Sequence, residues 1–306
     1  MNNILEIKNL TKNYEGFSLK NVSFSVPEGY IMGFIGPNGA GKSTTVKVMS
    51  GILTPESGEC VIMGRTPWKE RVAHVSQIGV VFGQRSQLWW DVPVNDSFDL
   101  LKDIYDISTT VYKERLSKLV ETMDIGMLLK TPVRQLSLGQ RMRCEVVAAL
   151  LHSPKILFLD EPTIGLDAVS KLALREFLKN ENRNNGMTMI LTTHDMDDIE
   201  ALCERVMVIG HGKLLFDGNL NNLKHRYSPL RRINAIMAAH FAPVQIEGAE
   251  KTEFADKKCT VWFDPEKIPA QRIVADIAER LPLVDITIEE QDIDEMIAVM
   301  YREMDL

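Results

Sequence analysis

Gly36-Pro37-Asn38-Gly39-Ala40-Gly41-Lys42-Ser43-Thr44 separates an apolar run, Tyr30 to Ile35, from a segment, Lys42 to Met49, that suits a helix closed by Gly51 and Pro55. The stretch fits GxxxxGK[ST], and its place after a predicted strand and before a predicted helix gives the pattern its meaning. Glycines let successive backbone N–H groups turn inward on a phosphate chain without Cβ clashes, and the helix start adds positive potential. Lys42 supplies a point charge for the terminal phosphates, and Ser43 offers a hydroxyl to Mg2+. The segment from Gly36 to Thr44 therefore reads as a nucleotide cradle.

Downstream, Ile156-Leu157-Phe158-Leu159-Asp160-Glu161 is an apolar strand that ends in two carboxylates. Ligands of a parallel sheet gather at the carboxyl ends of its strands, which puts these acids opposite the phosphate loop. Asp160 suits the Mg2+ shell, directly or through water, because a hard cation prefers oxygen. Glu161 is the candidate base that orients the attacking water. Between the two motifs, Leu136-Ser137-Leu138-Gly139-Gln140 precedes a helix. Taken alone it is a plain N-cap; placed just before the carboxylate strand, its hydroxyl and helix-start amides can cap a phosphate from outside.

The rest of the chain follows the same alternation. Leu5 to Lys8 and Val22 to Val26 read as short antiparallel strands, and Phe98, Leu101, Ile104, Leu116, Leu119, Val120 and Met123 recur at helical spacing. A helix from about Gln140 to His152, a helix around Ser170 to Asn182, a strand from Met187 to Thr192 and a late hairpin around Gly210-His211-Gly212 complete a pattern that implies a largely parallel sheet. The polar stretch from Asn219 to Arg232 reads as a connector. Beyond it, strands at Cys259 to Phe263 and Leu283 to Ile288 and helices at Pro269 to Leu281 and Ile293 to Tyr301 make a small α+β domain.

With these residues in view, Ile4 to Asp217 resembles the nucleotide-binding subunit of the ATP-binding cassette (ABC) transporter family. Gly36 to Thr44 is similar to its Walker A motif, Leu136 to Gln140 to its signature motif, and Ile156 to Glu161 to its Walker B motif. Gln84 resembles the Q-loop glutamine, Gly165-Leu166-Asp167 the D-loop, and His194 in Thr192-Thr193-His194-Asp195 the switch histidine. The resemblance implies two subunits packed head to tail, with each ATP held between Walker A of one and the signature motif of the other. It places Ser137 and Gly139 at the γ-phosphate bound by the partner and adds Gln140 and Asp167 to the nucleotide-contacting set. It implies that Gln84 senses Mg2+ and the attacking water and that His194 holds the γ-phosphate and the water. Tyr14 sits where the family stacks an aromatic on adenine, although Tyr14 or Phe17 equally suits sheet packing. Leu138 departs from the family's commonest glycine.

The expected architecture is thus α/β: a P-loop NTPase cassette over 1–218 with a mostly parallel core sheet, an antiparallel N-terminal β subdomain and a helical insert at about 94–152. A linker at 219–232 and a small C-terminal α+β domain at 233–306 follow. The Phe82-Gly83-Gln84 form of the Q-loop and the tail are similar to cassettes of the daunorubicin-resistance and sodium-export type. That resemblance implies ATP and Mg2+ as cofactors, a second ATP-binding subunit as partner, and a separate membrane permease through which substrate is exported. Both half-sites look intact in this one chain, which permits a homodimer and leaves a heterodimer open, and import shares the same catalytic residues. The aromatic stretch around Trp89 and Trp90 reads as a docking surface for that permease or as a plug of the insert's core. A cassette that regulates a cytosolic machine is the alternative, but such proteins carry tandem cassettes or long coiled-coil insertions, and one phosphate loop and no heptad run appear here.

Composition agrees. The 306 residues carry 35 basic and 42 acidic side chains, a net charge of −7, where a nucleic-acid binder shows a basic surplus. The longest apolar runs, Val146 to Leu151 and Ile156 to Leu159, fall far short of the roughly 18 residues that span a bilayer. The N-terminus lacks a signal peptide's apolar block. Cys60, Cys144, Cys203 and Cys259 stand singly, which argues against disulfides and zinc. The expected location is the cytoplasmic face of the cell membrane, held there peripherally by the permease.

Overall fold

A computed structural model describes residues 2–83, 85–227, 230–290 and 293–303. The chain divides into two units, Met1–Leu220 and Asn221–Leu306.

In the first unit, alternating burial along β1 (Asn3–Tyr14) and β2 (Phe17–Pro27) marks a two-faced antiparallel pair that buries Leu5, Ile7, Leu10, Val22 and Val26. The fully buried β3 (Ile31–Ile35) leads into the glycine-rich turn and then α1 (Lys42–Met49). β4 (Ser57–Ile62) returns to β1 and closes a three-stranded antiparallel sheet in the order β2-β1-β4. α2 (Arg71–Val75) and β5 (Ile78–Phe82) precede a helical region made of α3 (Val94–Ile104), α4 (Thr109–Thr122) and α5 (Leu138–Leu150). β6 (Ile156–Asp160), α6 (Ala168–Asn185), β7 (Thr188–Thr192), α7 (Met196–Leu202), β8 (Arg205–Gly210) and β9 (Lys213–Asn219) complete the unit.

The main sheet runs β5-β6-β7-β3-β8-β9, parallel throughout except for the antiparallel β9. Strands β3 and β7 are covered on both faces, which is why they read as continuous apolar runs. Register decides where the chemistry falls. Thr192 on β7 pairs with Asp160 on β6 and with Phe34 on β3, so the carboxylates after β6 and the phosphate loop after β3 leave the sheet at one edge. β4 and β5 escape a reading by periodicity, because β4 is largely exposed and β5 carries Gly79 among its valines.

The second unit builds an antiparallel sheet, β11-β12-β10-β13, from β10 (Arg231–Met237), β11 (Lys251–Ala255), β12 (Lys258–Phe263) and β13 (Leu283–Glu290), with helices α9 (Ala270–Arg280) and α10 (Ile293–Glu303). Ile233, Ala235, Val261, Phe263, Ile273 and Ile277 form its core. The supposed connector at 219–232 is structured instead: α8 (Leu220–Tyr227) occupies most of it, and Arg231 and Arg232 open β10. Leu220, Leu223 and Tyr227 are buried at helical spacing, a stripe that Lys224, His225 and Arg226 conceal when only composition is weighed.

Candidate functional site

Gly41 holds the turn of the phosphate loop at φ +117°, and a Cβ there would lie 3.0 Å from Leu19 and 3.1 Å from Phe17. It is also the N-cap of α1 and brings no side-chain acceptor, which leaves the helix-start amides to an anion. Lys42 is buried, and its Nζ donates to the carbonyls of Gly36 (2.6 Å) and Pro37 (3.2 Å). Burial draws its pKa below the ordinary lysine value, while the charges of Glu161 and Asp160 pull it back up. The loop from Pro37 to Thr44 lines a cleft of about 550 Å³ together with Phe17, Phe82, Asp160 and Glu161.

Across this cleft, Ser43 Oγ donates to Asp160 Oδ1 at 3.4 Å, and the Thr192 hydroxyl donates to the same oxygen. A hydroxyl and a carboxylate facing each other at the phosphate loop are the hard oxygen donors that Mg2+ takes, with phosphate and water oxygens completing its shell. Among the described residues no cluster of three His, Cys, Asp or Glu side chains forms a cage of its own. The donor set fits an ion shared with a bound triphosphate.

Glu161 follows at φ +56°, its N–H bonded to Thr192 O at 2.9 Å. Its Oε2 lies 2.6 Å from His194 Nδ1, and the His194 backbone N–H reaches the same oxygen at 3.4 Å. Gly83 presses on these acids from β5: its N–H donates to Asp160 O (2.8 Å), and a Cβ would stand 2.4 Å from Glu161 O. Glycine is the residue that fits there. Gln84 lies outside the described residues.

Ser137, Gly139, Gln140 and Asp167 do not line the cleft of their own chain. Ser137 and Gln140 form a reciprocal capping box on α5: the Gln140 amide donates to Ser137 Oγ (3.2 Å) and the Ser137 amide to Gln140 Oε1 (2.9 Å). A serine that accepts in this way still has its own O–H to donate. Asp167 caps α6 by accepting from the Ser170 amide (2.8 Å) and hydroxyl (3.1 Å), bonds that hold its carboxyl below the usual aspartate value. A Cβ on Gly139 would lie 3.3 Å from Ser170 Oγ, so the starts of α5 and α6 adjoin. Tyr14 is half-exposed and stacks on Phe17 with ring centroids 6.4 Å apart; Phe17, rather than Tyr14, reaches the cleft. Trp89 and Trp90 are exposed, and the Arg141 guanidinium stands 5.7 Å from the Trp90 ring centroid.

One polar cluster behind the site escapes the sequence reading. Asp195 pairs with Lys171 and with Arg175 (3.3 Å), while the fully buried Asp198 takes Arg175 Nε at 2.6 Å together with the hydroxyls of Thr163 and Thr193 (3.2 Å). These bonds tie the helix after His194 to the helix after Asp167. The signal available in sequence was two aspartates three apart following an apolar strand, but their cations sit on another helix.

Comparison with known proteins gives a consistent result. The family model described as "ABC transporter" matches residues 19–164. The uncharacterized ABC transporter ATP-binding protein YhcH of Bacillus subtilis is 34% identical over 225 residues, 73% of this chain and 72% of that protein. The linearmycin resistance ATP-binding protein LnrL of the same organism is 32% identical over 224 residues, 73% of this chain and 71% of that one. Among solved structures, a dimeric ATP-binding cassette in a post-hydrolysis state with ADP and Pi superposes with a TM-score of 0.65 at 26% identity, covering 71% of this chain and 98% of that one.

Proposed function

The chain belongs to the ATP-binding subunits of ABC transporters, which are ATPases, and from that premise we propose that it drives substrate export through a separate membrane permease as one half of a homodimer. Among the described residues no helix is long and apolar enough to cross a membrane, which accords with a pathway on another polypeptide. The related dimeric cassette supports pairing, and the relative named for linearmycin resistance accords with outward transport. In this reading the chain sits at the cytoplasmic face of the membrane, and Trp89 and Trp90 contribute anchors to the permease contact.

The observation that carries the reading is the convergence of Lys42, Ser43, Asp160, Glu161 and His194 at the carboxyl edge of the parallel sheet. The loop amides and Lys42 neutralise and orient the phosphates. Ser43 and Asp160 would hold Mg2+, with Gln84 assigned to the same ion, and the ion when bound would supply charge neutralisation of the transferring phosphoryl group. Glu161 takes the proton of the attacking water, and His194 fixes the carboxylate through its Nδ1 side. Ser137, Gly139, Gln140 and Asp167 are assigned to the ATP of the opposite subunit, which explains why they leave their own cleft unlined. Tyr14 is assigned to the adenine ring together with Phe17, which lines the cleft and on which Tyr14 stacks.

Affinity purification of the tagged chain from native membranes tests the transport role. Recovery of an integral membrane protein whose presence stimulates ATP turnover is expected; a complex made only of cytosolic proteins would favour the regulatory alternative.

A further inference from the structure

Glu145 lies about two turns into α5, the helix that opens at Ser137. It is 3% exposed, flanked in sequence by the buried Cys144 and Val146. Taking a carboxylate out of water costs several kcal/mol unless its oxygens find donors, so an apolar residue would serve helix packing better here. The donors come from one place. The Ser86 hydroxyl donates to Oε1, the Gln87 amide donates to Oε2 at 3.1 Å, and Gln87 Nε2 reaches the Glu145 backbone carbonyl at 3.0 Å. Ser86 Oγ in turn accepts from the Leu88 amide at 3.1 Å, and Leu88 is buried.

The other end of this segment is fixed at the catalytic carboxylates. The Gly83 amide donates to Asp160 O at 2.8 Å, Gly83 has no room for a Cβ against Glu161 O, and the Arg85 amide donates back to Phe82 O at 3.0 Å. A strap a few residues long thus joins the β6 carboxylates to the helix that carries Ser137.

We propose that Glu145 is a positioning residue for ATP hydrolysis: it anchors the Ser86-Gln87 end of the strap to α5, so that movement of Ser137 is transmitted to Asp160 and Glu161. This rests on the reading that Glu161 is the base and that Ser137 meets the partner's nucleotide. Turnover depends on the anchor; nucleotide binding, which the phosphate loop provides, does not. Burial pushes the Glu145 carboxyl above the usual glutamate value, against the pull of its bonds from Ser86, Gln87 and Leu88, which accords with a group retained for its contacts.

The test uses the purified full chain, with steady-state MgATP hydrolysis and equilibrium binding of a fluorescent ATP analogue. Glu145→Ala is expected to lower kcat about tenfold or more, with nucleotide affinity within about twofold of the parent. Glu145→Gln restores most of the rate, since its amide offers an acceptor to the Gln87 N–H and a donor to Ser86 Oγ. Removing the side-chain bonds from the strap side, in Ser86→Ala/Gln87→Ala, leaves Glu145 only backbone N–H groups such as that of Gln87 and lowers kcat severalfold, and adding Glu145→Ala costs less than the two separate losses combined. Turnover of the Ser86→Ala/Gln87→Ala variant within about twofold of the parent, or losses that add, would overturn the proposal. If Glu145→Ala unfolds, the strap-side variant decides alone, because Ser86 and Gln87 themselves lie outside the core and Glu145 keeps the Gln87 N–H. Glu161→Gln separates the two levels: full hydrolysis by that variant removes the base assignment, while the coupling between Glu145 and Ser86-Gln87 is still read from the remaining variants.

Discussion

Glu161 Oε2 and His194 Nδ1 stand 2.6 Å apart, and the same carboxylate oxygen takes the His194 backbone N–H at 3.4 Å. The contact orients the carboxylate and favours the imidazole tautomer that carries its proton on Nδ1. Glu161→Gln preserves the shape and an acceptor for His194 but removes the basicity. Turnover is expected to fall by about 10² or more while MgATP binding persists and traps the dimer, read by single-turnover hydrolysis and by size-exclusion chromatography with ATP. Hydrolysis at the parent rate would remove Glu161 from its role.

Lys42 donates to Gly36 O and Pro37 O from a buried position beside two carboxylates. Its ammonium is poised where a triphosphate's terminal oxygens would replace or share those carbonyls. Lys42→Ala is expected to weaken ATP binding by roughly ten- to a hundredfold, matching about 1.5–3 kcal/mol for a charge-assisted hydrogen bond. Titration calorimetry measures this directly, and unchanged affinity would contradict the phosphate-loop assignment.

Arg175 is the cation between Asp195 and the fully buried Asp198. Arg175→Ala leaves Asp198 without its cation and is expected to destabilise the nucleotide-binding unit by about 3–5 kcal/mol in urea unfolding. A loss below about 1 kcal/mol would show that the two threonine hydroxyls suffice for Asp198.

The same cluster predicts a pH dependence. Burial alone would raise the Asp195 carboxyl, but the bond and charge of Lys171, the charge of Arg175 and the Asp197 amide outweigh it and hold the group below the ordinary aspartate value. A depressed folded-state pKa contributes stability that is fully present above the unfolded value, about 3.9, and is lost as the pH falls through the folded one. Lys171→Met removes the leading lowering partner. The stability gap between parent and variant should therefore be open at about pH 7 and narrow below about pH 4, as urea midpoints across that range will show. A gap independent of pH would mean that Lys171 acts through packing alone.

Phe263 is fully buried in the core of the second unit. Phe263→Ala is expected to cost about 3–5 kcal/mol, confined to that unit. Scanning calorimetry should show one transition moving down and the other staying in place; a shift of both together would mean that the units unfold as one.

The candidate site of the first unit was legible because its motifs are local. Lys42 and Ser43 stand at fixed offsets from the glycines that shape their loop, and Asp160 and Glu161 end an apolar strand short enough to read as one. The second unit was less legible. Its opening helix hides Leu220, Leu223 and Tyr227 among basic residues, and β11 alternates polar and half-buried positions without a strong apolar signal.

By itself, then, the sequence determined which residues are the candidates for holding a triphosphate and a metal, since that candidacy depends on residue types at short spacing. Only the tertiary structure decided what supports them. Glu145 meets Ser86 across 59 residues, Asp198 meets Thr163 across 35, and Gly83 just past β5 has no room for a Cβ against the carbonyl of Glu161 just past β6. A buried polar group is tolerated only where distant chain supplies its partner, and periodicity along one segment carries no information about that partner.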